Sequence, residues 1–319
     1  MKLGLIFPQT EIPDDAAAIR DYVQAVEADG FDYLLAFDHV LGVNVEERPE
    51  WDPLNVLRDV AARVVHGQQA VEQERTIKRA PYDYQSAFQE PLVLYAFLSG
   101  VTSSIELATG VVILPQRQTA LLAKQAANVA NLSNGRLRLG VGIGWNDAEY
   151  EALGMDFRTR GRRSEEQLVF LRRLWSEESV TFKGEFDRIR GAGINPRPKR
   201  PIPLWLGGNS EIAMRRAARL ADGWQPSIAP SEAEEKAAVF WEHVRTAGRV
   251  PDTVGLENLI HCGETIGGPR MSPEQAAEIA LVFRDAGYSH VCINTMDAGH
   301  RAMDDHLEFA SAWRRMVGQ

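Results

Sequence analysis

Two alternating periods run along the chain. Short apolar or β-branched runs at 3–7, 33–37, 105–114, 137–144, 202–206, 223–225, 254–261 and 291–295 read as buried strands. Between them apolar residues recur every three or four positions, the spacing of one helix face. Ala17, Tyr22 and Val26 mark such a face within 14–28, where Asp14 is the expected N-cap and Gly30 follows the end. Leu122, Ala126 and Val129 mark another within 119–132, and Leu168, Leu171 and Trp175 a third within 163–175. The windows 210–221, 231–247, 272–286 and 300–317 repeat the pattern, and the first three of these open on serine.

Strands that alternate with helices pair in parallel through right-handed crossovers. A doubly wound open sheet and a closed (β/α)8 barrel both satisfy that alternation. A barrel takes about 250 residues. The surplus in this 319-residue chain falls into two stretches rich in turn residues, at about 41–90 and about 178–203. The expected fold is therefore α/β, a (β/α)8 TIM barrel with insertions after strands 2 and 4, and one domain spanning 1–319.

Composition narrows the function classes. With 45% hydrophobic and 25% charged residues the chain is globular rather than disordered. Its two cysteines, Cys262 and Cys292, are too few for a disulfide scaffold and read as small core residues of a reducing compartment. A net charge of -9 argues against a nucleic-acid partner. No apolar run approaches the roughly 18 residues of a membrane span, and the start, Met1 to Pro8, is too short for a signal peptide. A cytoplasmic enzyme acting on a small molecule is the expectation. Of the basic residues 29 are arginine and 6 lysine, which suits bidentate anion recognition but equally reflects GC-rich codon usage.

In a barrel the chemistry sits at the C-terminal strand ends. Here these are Pro8-Gln9, Asp38-His39, Thr109-Gly110-Val111, Gly144-Trp145-Asn146, Gly207-Gly208-Asn209, Gln225-Pro226-Ser227, His261-Cys262 and Thr295-Met296. Asp38 is the one carboxylate among them, which disfavours paired-acid or two-metal chemistry. The seven histidines lack zinc-ligand spacing, so no metal is expected. Gly207-Gly208-Asn209-Ser210 runs from a strand into a helix start, where free N–H groups form either a phosphate cradle or a turn that binds nothing. Gly140, Gly142 and Gly144 strip one strand face, making room for a flat ligand or for tight barrel packing beside Trp145. Asp38-His39 is either an acid–base pair at a reacting centre or a satisfied structural pair. His261 reads as structural. The cluster Arg158-Thr159-Arg160-Gly161-Arg162-Arg163 is either a solvated helix start or a clamp for an anionic ligand tail.

Taken in order, several longer strings make the chain resemble the luciferase-like monooxygenase superfamily. They are Leu107-Ala108-Thr109-Gly110-Val111-Val112-Ile113-Leu114-Pro115-Gln116-Arg117, Ala123-Lys124-Gln125-Ala126-Ala127, Leu132-Ser133-Asn134-Gly135-Arg136 and Leu139-Gly140-Val141-Gly142-Ile143-Gly144-Trp145. Gly154, Gly161-Arg162-Arg163, Pro203-Leu204-Trp205-Leu206-Gly207-Gly208-Asn209-Ser210 and Ala221-Asp222-Gly223-Trp224 follow. The resemblance covers nearly the whole chain and implies a TIM barrel that uses coenzyme F-420 or FMN. It implies that Gly207, Gly208 and Asn209 hold the cofactor phosphate and that Arg163 assists. It also implies that Thr109-Gly110-Val111 forms a bulged strand end, often with a non-prolyl cis peptide, behind the ring. Asp38 and His39 would lie at the reacting edge, with Asp38 orienting His39, and Gly144-Trp145 would wall the pocket. Trp145 stands where the family's sugar-phosphate dehydrogenases carry an acid, which points to a more apolar or aromatic substrate. The glycine strings resemble the coenzyme F-420 branch most, implying hydride transfer. The alternatives are an FMN-dependent monooxygenase with a separate flavin reductase, and a non-catalytic flavin-binding barrel. An F-420 reductase and a homodimer packed through barrel helices complete the implied partners.

Overall fold

The buried runs close on themselves. The computed structural model describes residues 1–51, 81–264 and 269–318. The first strands and helices are β1 (Lys2–Ile6), α1 (Ala16–Asp29), β2 (Tyr33–Ala36), α2 (Pro91–Val101), β3 (Glu106–Thr109), β4 (Val112–Ile113), α3 (Thr119–Leu132) and β5 (Leu137–Gly142). Next come α4 (Asp147–Ala152), α5 (Arg160–Ser176), β6 (Val180–Lys183), β7 (Arg188–Ala192), β8 (Leu204–Gly207), α6 (Glu211–Leu220) and β9 (Gly223–Gln225). The chain ends with α7 (Ala233–Thr246), β10 (Gly255–His261), α8 (Pro273–Asp285), β11 (His290–Asn294) and α9 (Met303–Val317). The parallel order β3-β2-β1-β11-β10-β9-β8-β5 is closed by pairing of β5 with β3, giving an eight-stranded barrel inside a ring of helices. No helix among the described residues is long and apolar enough to cross a membrane.

Local chemistry explains the departures from the sequence reading. The third run is not one strand: β3 ends at Thr109, the Gly110–Val111 peptide bond is cis, and β4 resumes at Val112 to pair with β5. Asp15, not Asp14, caps α1 by accepting from the Ala18 N–H at 2.8 Å. The stretch 178–203 folds in part as an antiparallel β6–β7 hairpin. Of the insertion at 41–90, residues 52–80 lie outside the described residues. Helix α2 escapes a periodicity search because its exposed Val93, Ala96 and Phe97 are as apolar as its buried Leu92, Leu94 and Leu98.

The barrel interior is layered. Ile6, Tyr33, Leu35, Ala108, Leu259, Cys292 and Met296 form one inner cluster, so the β-strand alternation also turns Gly110, His261 and Asn294 inward, nearer the C-terminal rim. Below them Arg138 is fully buried between the rings of Tyr33 and Trp205, at 4.6 and 4.4 Å. It donates to Glu257 at 2.7 Å and to Glu106 at 2.6 Å, forming a charged floor.

A second carboxylate staples the outer ring. Glu27 of α1 accepts the backbone N–H groups of Ser103, Ser104 and Ile105 at 2.9, 2.6 and 2.9 Å, fixing the turn into β3. Partial burial opposes its charge, but those donors outweigh it and hold the carboxyl at about 2, below its ordinary 4.5. A depressed carboxyl stabilises the fold above its unfolded value, and that contribution fades as pH falls through its folded one. Glu27→Gln should therefore cost on the order of 1 kcal/mol at neutral pH, after allowance for solvent screening. In urea titrations the gap to the wild type should shrink by more than half by about pH 3. A gap that stays constant with pH would remove the charge from this account.

Candidate active site

The loop after β2 enters the barrel rim as Asp38-His39, and the two side chains part company. Asp38 is buried and turns to Arg117, which reaches it through Nη2 at 2.7 Å and Nε at 3.2 Å. The Ile113 N–H donates to the same carboxylate at 2.9 Å. Arg117 also pairs with Glu90, the N-cap of α2, at 2.8 Å. Asp38 therefore ties β2, the loop after β4 and α2 together, and it does not orient His39. That corrects the acid–base pair expected from the sequence.

His39 meets a different carboxylate. Its Nδ1 lies 2.7 Å from the Tyr82 hydroxyl and 3.3 Å from Oε1 of Glu149, whose side chain is wholly buried. No described residue hydrogen-bonds Nε2, and the ring keeps 15% of its side-chain surface open. Around it stand Tyr82, Phe88 and Trp145, with ring centroids 4.0, 5.2 and 5.9 Å away. Trp51 stacks on Trp145 at 6.1 Å and donates its indole N–H to Asp147 at 2.8 Å. Three of these aromatics, Trp51, Tyr82 and Phe88, come from the flanks of the first insertion, which thus contributes the wall facing His39.

Across the rim the wall is made of backbone. A Cβ on Gly140 would fall 1.9 Å from the Thr109 carbonyl oxygen, so that glycine serves tight strand packing. Cβ atoms on Gly142 and Gly207 would fall 2.5 and 2.7 Å from the Val111 methyls, and one on Gly110 would strike Leu35. Val111 is thus wedged over two bare strands and only half-buried, a flat surface at the strand ends. Thr109 is buried and donates its hydroxyl to the Gly140 carbonyl at 2.6 Å, so it braces this wall from behind. Gly144, with φ of +64°, turns the chain out of β5 so that Trp145 returns to the rim.

The strand-to-helix turn expected at Gly207-Gly208-Asn209-Ser210 is present and braced. Gly208 takes a φ of +113°, which a side chain would resist, before Ser210 caps α6 through the Ala213 N–H at 3.2 Å. The amides earlier in that turn have no hydrogen-bond partner among the described residues, and they stand at the positive end of the helix. Asn209 clasps the loop after β9 with both ends of its amide, donating to the Ser227 carbonyl at 2.7 Å and accepting the Ser227 N–H at 2.8 Å. The Ser227 hydroxyl beside it is shielded from solvent and has no hydrogen-bond partner among the described residues. An unsatisfied buried hydroxyl next to open helix amides is what a phosphate oxygen would complete. Arg163, on α5, lies beside the Phe186 ring at 5.9 Å, and its buried Nε has no hydrogen-bond partner among the described residues.

His261 is better placed than the sequence suggested. It faces the barrel interior near the rim, and Asn294 Nδ2 lies 3.2 Å from its Nδ1. Asn294 Oδ1 accepts the Met296 N–H at 3.0 Å, which orients that amide. Burial pushes the His261 imidazole down to about 4, so it stays neutral at physiological pH.

Glu149 and Tyr82 are the residues that sequence reasoning missed. Asn146 caps α4 and Glu149 follows three positions later, a pattern that reads as an ordinary capping box. Here the carboxylate turns inward instead, accepting the Val40 N–H at 2.8 Å and a Gln116 amide hydrogen at 3.2 Å. Nothing local to Tyr82 signals a partner 43 residues away.

A closed parallel barrel with polar and aromatic side chains gathered at its C-terminal rim defines the class: a (β/α)8 protein. Residues 73–293 match the luciferase-like monooxygenase family, and the chain belongs to that family. An uncharacterized protein of Mycobacterium tuberculosis is 42% identical over 137 residues, 43% of this chain and 47% of that protein. An FMNH(2)-dependent dimethylsulfone monooxygenase of Pseudomonas fluorescens is 34% identical over 143 residues, 44% of this chain and 39% of that enzyme. The match thus spans half or less of these curated relatives. A coenzyme F-420-dependent secondary alcohol dehydrogenase, solved with a coenzyme–acetone adduct, superposes with a TM-score of 0.75 at 17% identity. It covers 99% of this chain and 98% of its own, a likeness of fold.

Proposed function

We propose that this protein is an oxidoreductase that moves hydride between coenzyme F-420 and a small organic substrate. The observation that carries the reading is His39, its Nε2 without a hydrogen-bond partner among the described residues, at a rim whose opposite wall is Val111 and bare backbone. When bound, the deazaflavin supplies a ring carbon that exchanges hydride and resists oxygen. Gly207, Gly208, Asn209, the Ser227 hydroxyl and the first amides of α6 would hold its phosphate, with Arg163 available to an anionic tail. Gly110 and Val111 would back the ring. His39 Nε2 would take or return the proton that accompanies hydride transfer. Trp51, Tyr82, Phe88 and Trp145 would exclude water and favour an apolar or aromatic substrate over a sugar phosphate.

The relative that depends on reduced FMN supports a second reading, an FMN-dependent monooxygenase served by a separate reductase. The two differ in oxygen use and in the cofactor bound. Titrating the purified protein with each cofactor, while following its seven tryptophans, separates them. Saturable quenching by coenzyme F-420 with little response to FMN is expected. A preference for FMN, together with oxygen consumption on reduction, would replace the first reading by the second. The homodimer implied by the resemblance is proposed on the same footing.

A further inference from the structure

We propose that Glu149 is a positioning residue: its carboxylate keeps the His39 proton on Nδ1 and so leaves Nε2 as a hydrogen-bond acceptor at the barrel rim. The inference starts from the donors around Glu149. The Val40 N–H at 2.8 Å, the Leu41 N–H at 3.5 Å and the Gln116 amide at 3.2 Å all point to it, so the carboxylate accepts throughout. Its remaining hydrogen-bond partner among the described residues is Nδ1 of His39, at 3.3 Å.

Tyr82 is the competitor. Its oxygen lies 2.7 Å from the same nitrogen and accepts from Asn146 Nδ2 at 3.0 Å. The orientation of that amide is fixed, because Asn146 Oδ1 takes the Ala148 N–H at 3.1 Å. A Tyr82 hydroxyl that donated to Nδ1 would force the ring proton onto Nε2. The Nδ1 lone pair would then face a buried carboxylate oxygen with no hydrogen between them, a repulsive contact in a poorly solvated place. With the proton on Nδ1, both Tyr82 and Glu149 accept it, at the smaller cost of turning the Tyr82 hydroxyl hydrogen away from the ring. Phe88 and Trp145 flank the ring, which opposes a flip that would put Cδ2 in the place of Nδ1. Glu149 thus decides between two arrangements that Tyr82 alone would leave open.

The inference rests on the proposed function only where it concerns turnover; the proton position is measurable without substrate or coenzyme. Nitrogen-15 NMR of histidine-labelled protein, at a pH where the ring is uncharged, reports which nitrogen carries the proton, and His39→Gln assigns the signal. In the wild type Nδ1 should be the protonated nitrogen, and Tyr82→Phe should keep it so. Glu149→Ala should move the proton to Nε2, because Tyr82 then becomes the sole partner of Nδ1. Glu149→Gln should restore Nδ1–H: its Oε1 can stay opposite the Val40 N–H while its amide nitrogen turns to Gln116, whose own Oε1 lacks a partner. An Nε2–H signal in the wild type, or a change of tautomer in Tyr82→Phe, overturns the proposal even if Glu149→Ala fails to fold. With an active coenzyme and substrate pair, Glu149→Ala should lose about 100-fold in kcat with KM little moved, and Glu149→Gln should recover most of it. A tautomer that follows this pattern while kcat stays constant would retain the Glu149 role and reject His39 as the proton-handling group.

Discussion

His39→Ala should slow single-turnover hydride transfer by about 10²–10⁴-fold, the usual contribution of a positioned acid or base, while coenzyme affinity stays nearly unchanged. The two effects separate because the residues concerned lie on different strands. The proposed phosphate turn is built by Gly208, Asn209 and Ser227 on the loops after β8 and β9, and none of them is hydrogen-bonded to His39. Removing the imidazole leaves Glu149 its Val40 and Gln116 donors and leaves Tyr82 its Asn146 donor, so no buried polar group is stranded. His39→Gln is the packing control: it fills much of the same space and cannot take up a proton. Both variants should bind coenzyme and both should fail in the chemical step. A rate equal to the wild type in either one would sink the proton-handling role. An equal loss of affinity and rate would reassign His39 to ligand binding.

The barrel was legible because its evidence is repeated eight times. Each strand is a short apolar run that needs cover on both faces, all but β2 lead into an amphipathic helix, and a parallel sheet of that length closes. Even the Gly207-Gly208-Asn209 turn announced itself, since two glycines between a strand and a capped helix admit few other conformations. The partner of His39 was not legible. Asp38 is adjacent in sequence, yet neighbours on an extended segment point to opposite sides, and Arg117 with the Ile113 N–H draws Asp38 away. Glu149 is 110 residues from His39, and its spacing from Asn146 fits a local cap equally well. The alternating glycines were ambiguous for a similar reason. Their side-chain-free face is filled at Gly140 by Thr109 and Gln225 but leaves Val111 on show at Gly142 and Gly207, a division that only the assembled barrel makes visible. His261 looked structural because its orientation comes from Asn294, on a neighbouring strand.

The floor of the barrel makes the second large prediction. Arg138→Met should destabilise the protein by about 3–5 kcal/mol, the cost of leaving a buried carboxylate without its counter-ion. Burial works against the charge of Glu257, and the Arg138 guanidinium beside it overrides that penalty, holding the carboxyl below its ordinary range. Gln225 donates to the same Glu257 oxygen at 2.6 Å, too little to replace a full positive charge. Glu106 is a lesser concern, since a quarter of its side chain reaches solvent. The expected loss therefore centres on the Arg138–Glu257 pair and should be non-additive. Arg138→Met combined with Glu257→Leu should recover much of the stability lost in the single variant, because an apolar filling no longer strands a charge between Tyr33 and Trp205. Urea unfolding of the two single variants and the double variant measures this coupling directly. Activity per folded molecule should hold in the double variant, since the pair joins β5 to β10 below the inner apolar cluster while the proposed proton-handling group, His39, stands at the C-terminal rim. A cost below about 1 kcal/mol for Arg138→Met, within the range of exposed ion pairs, would mean that water reaches the floor. A stable double variant with depressed turnover would mean instead that this charged layer acts on the rim through the strands that carry it.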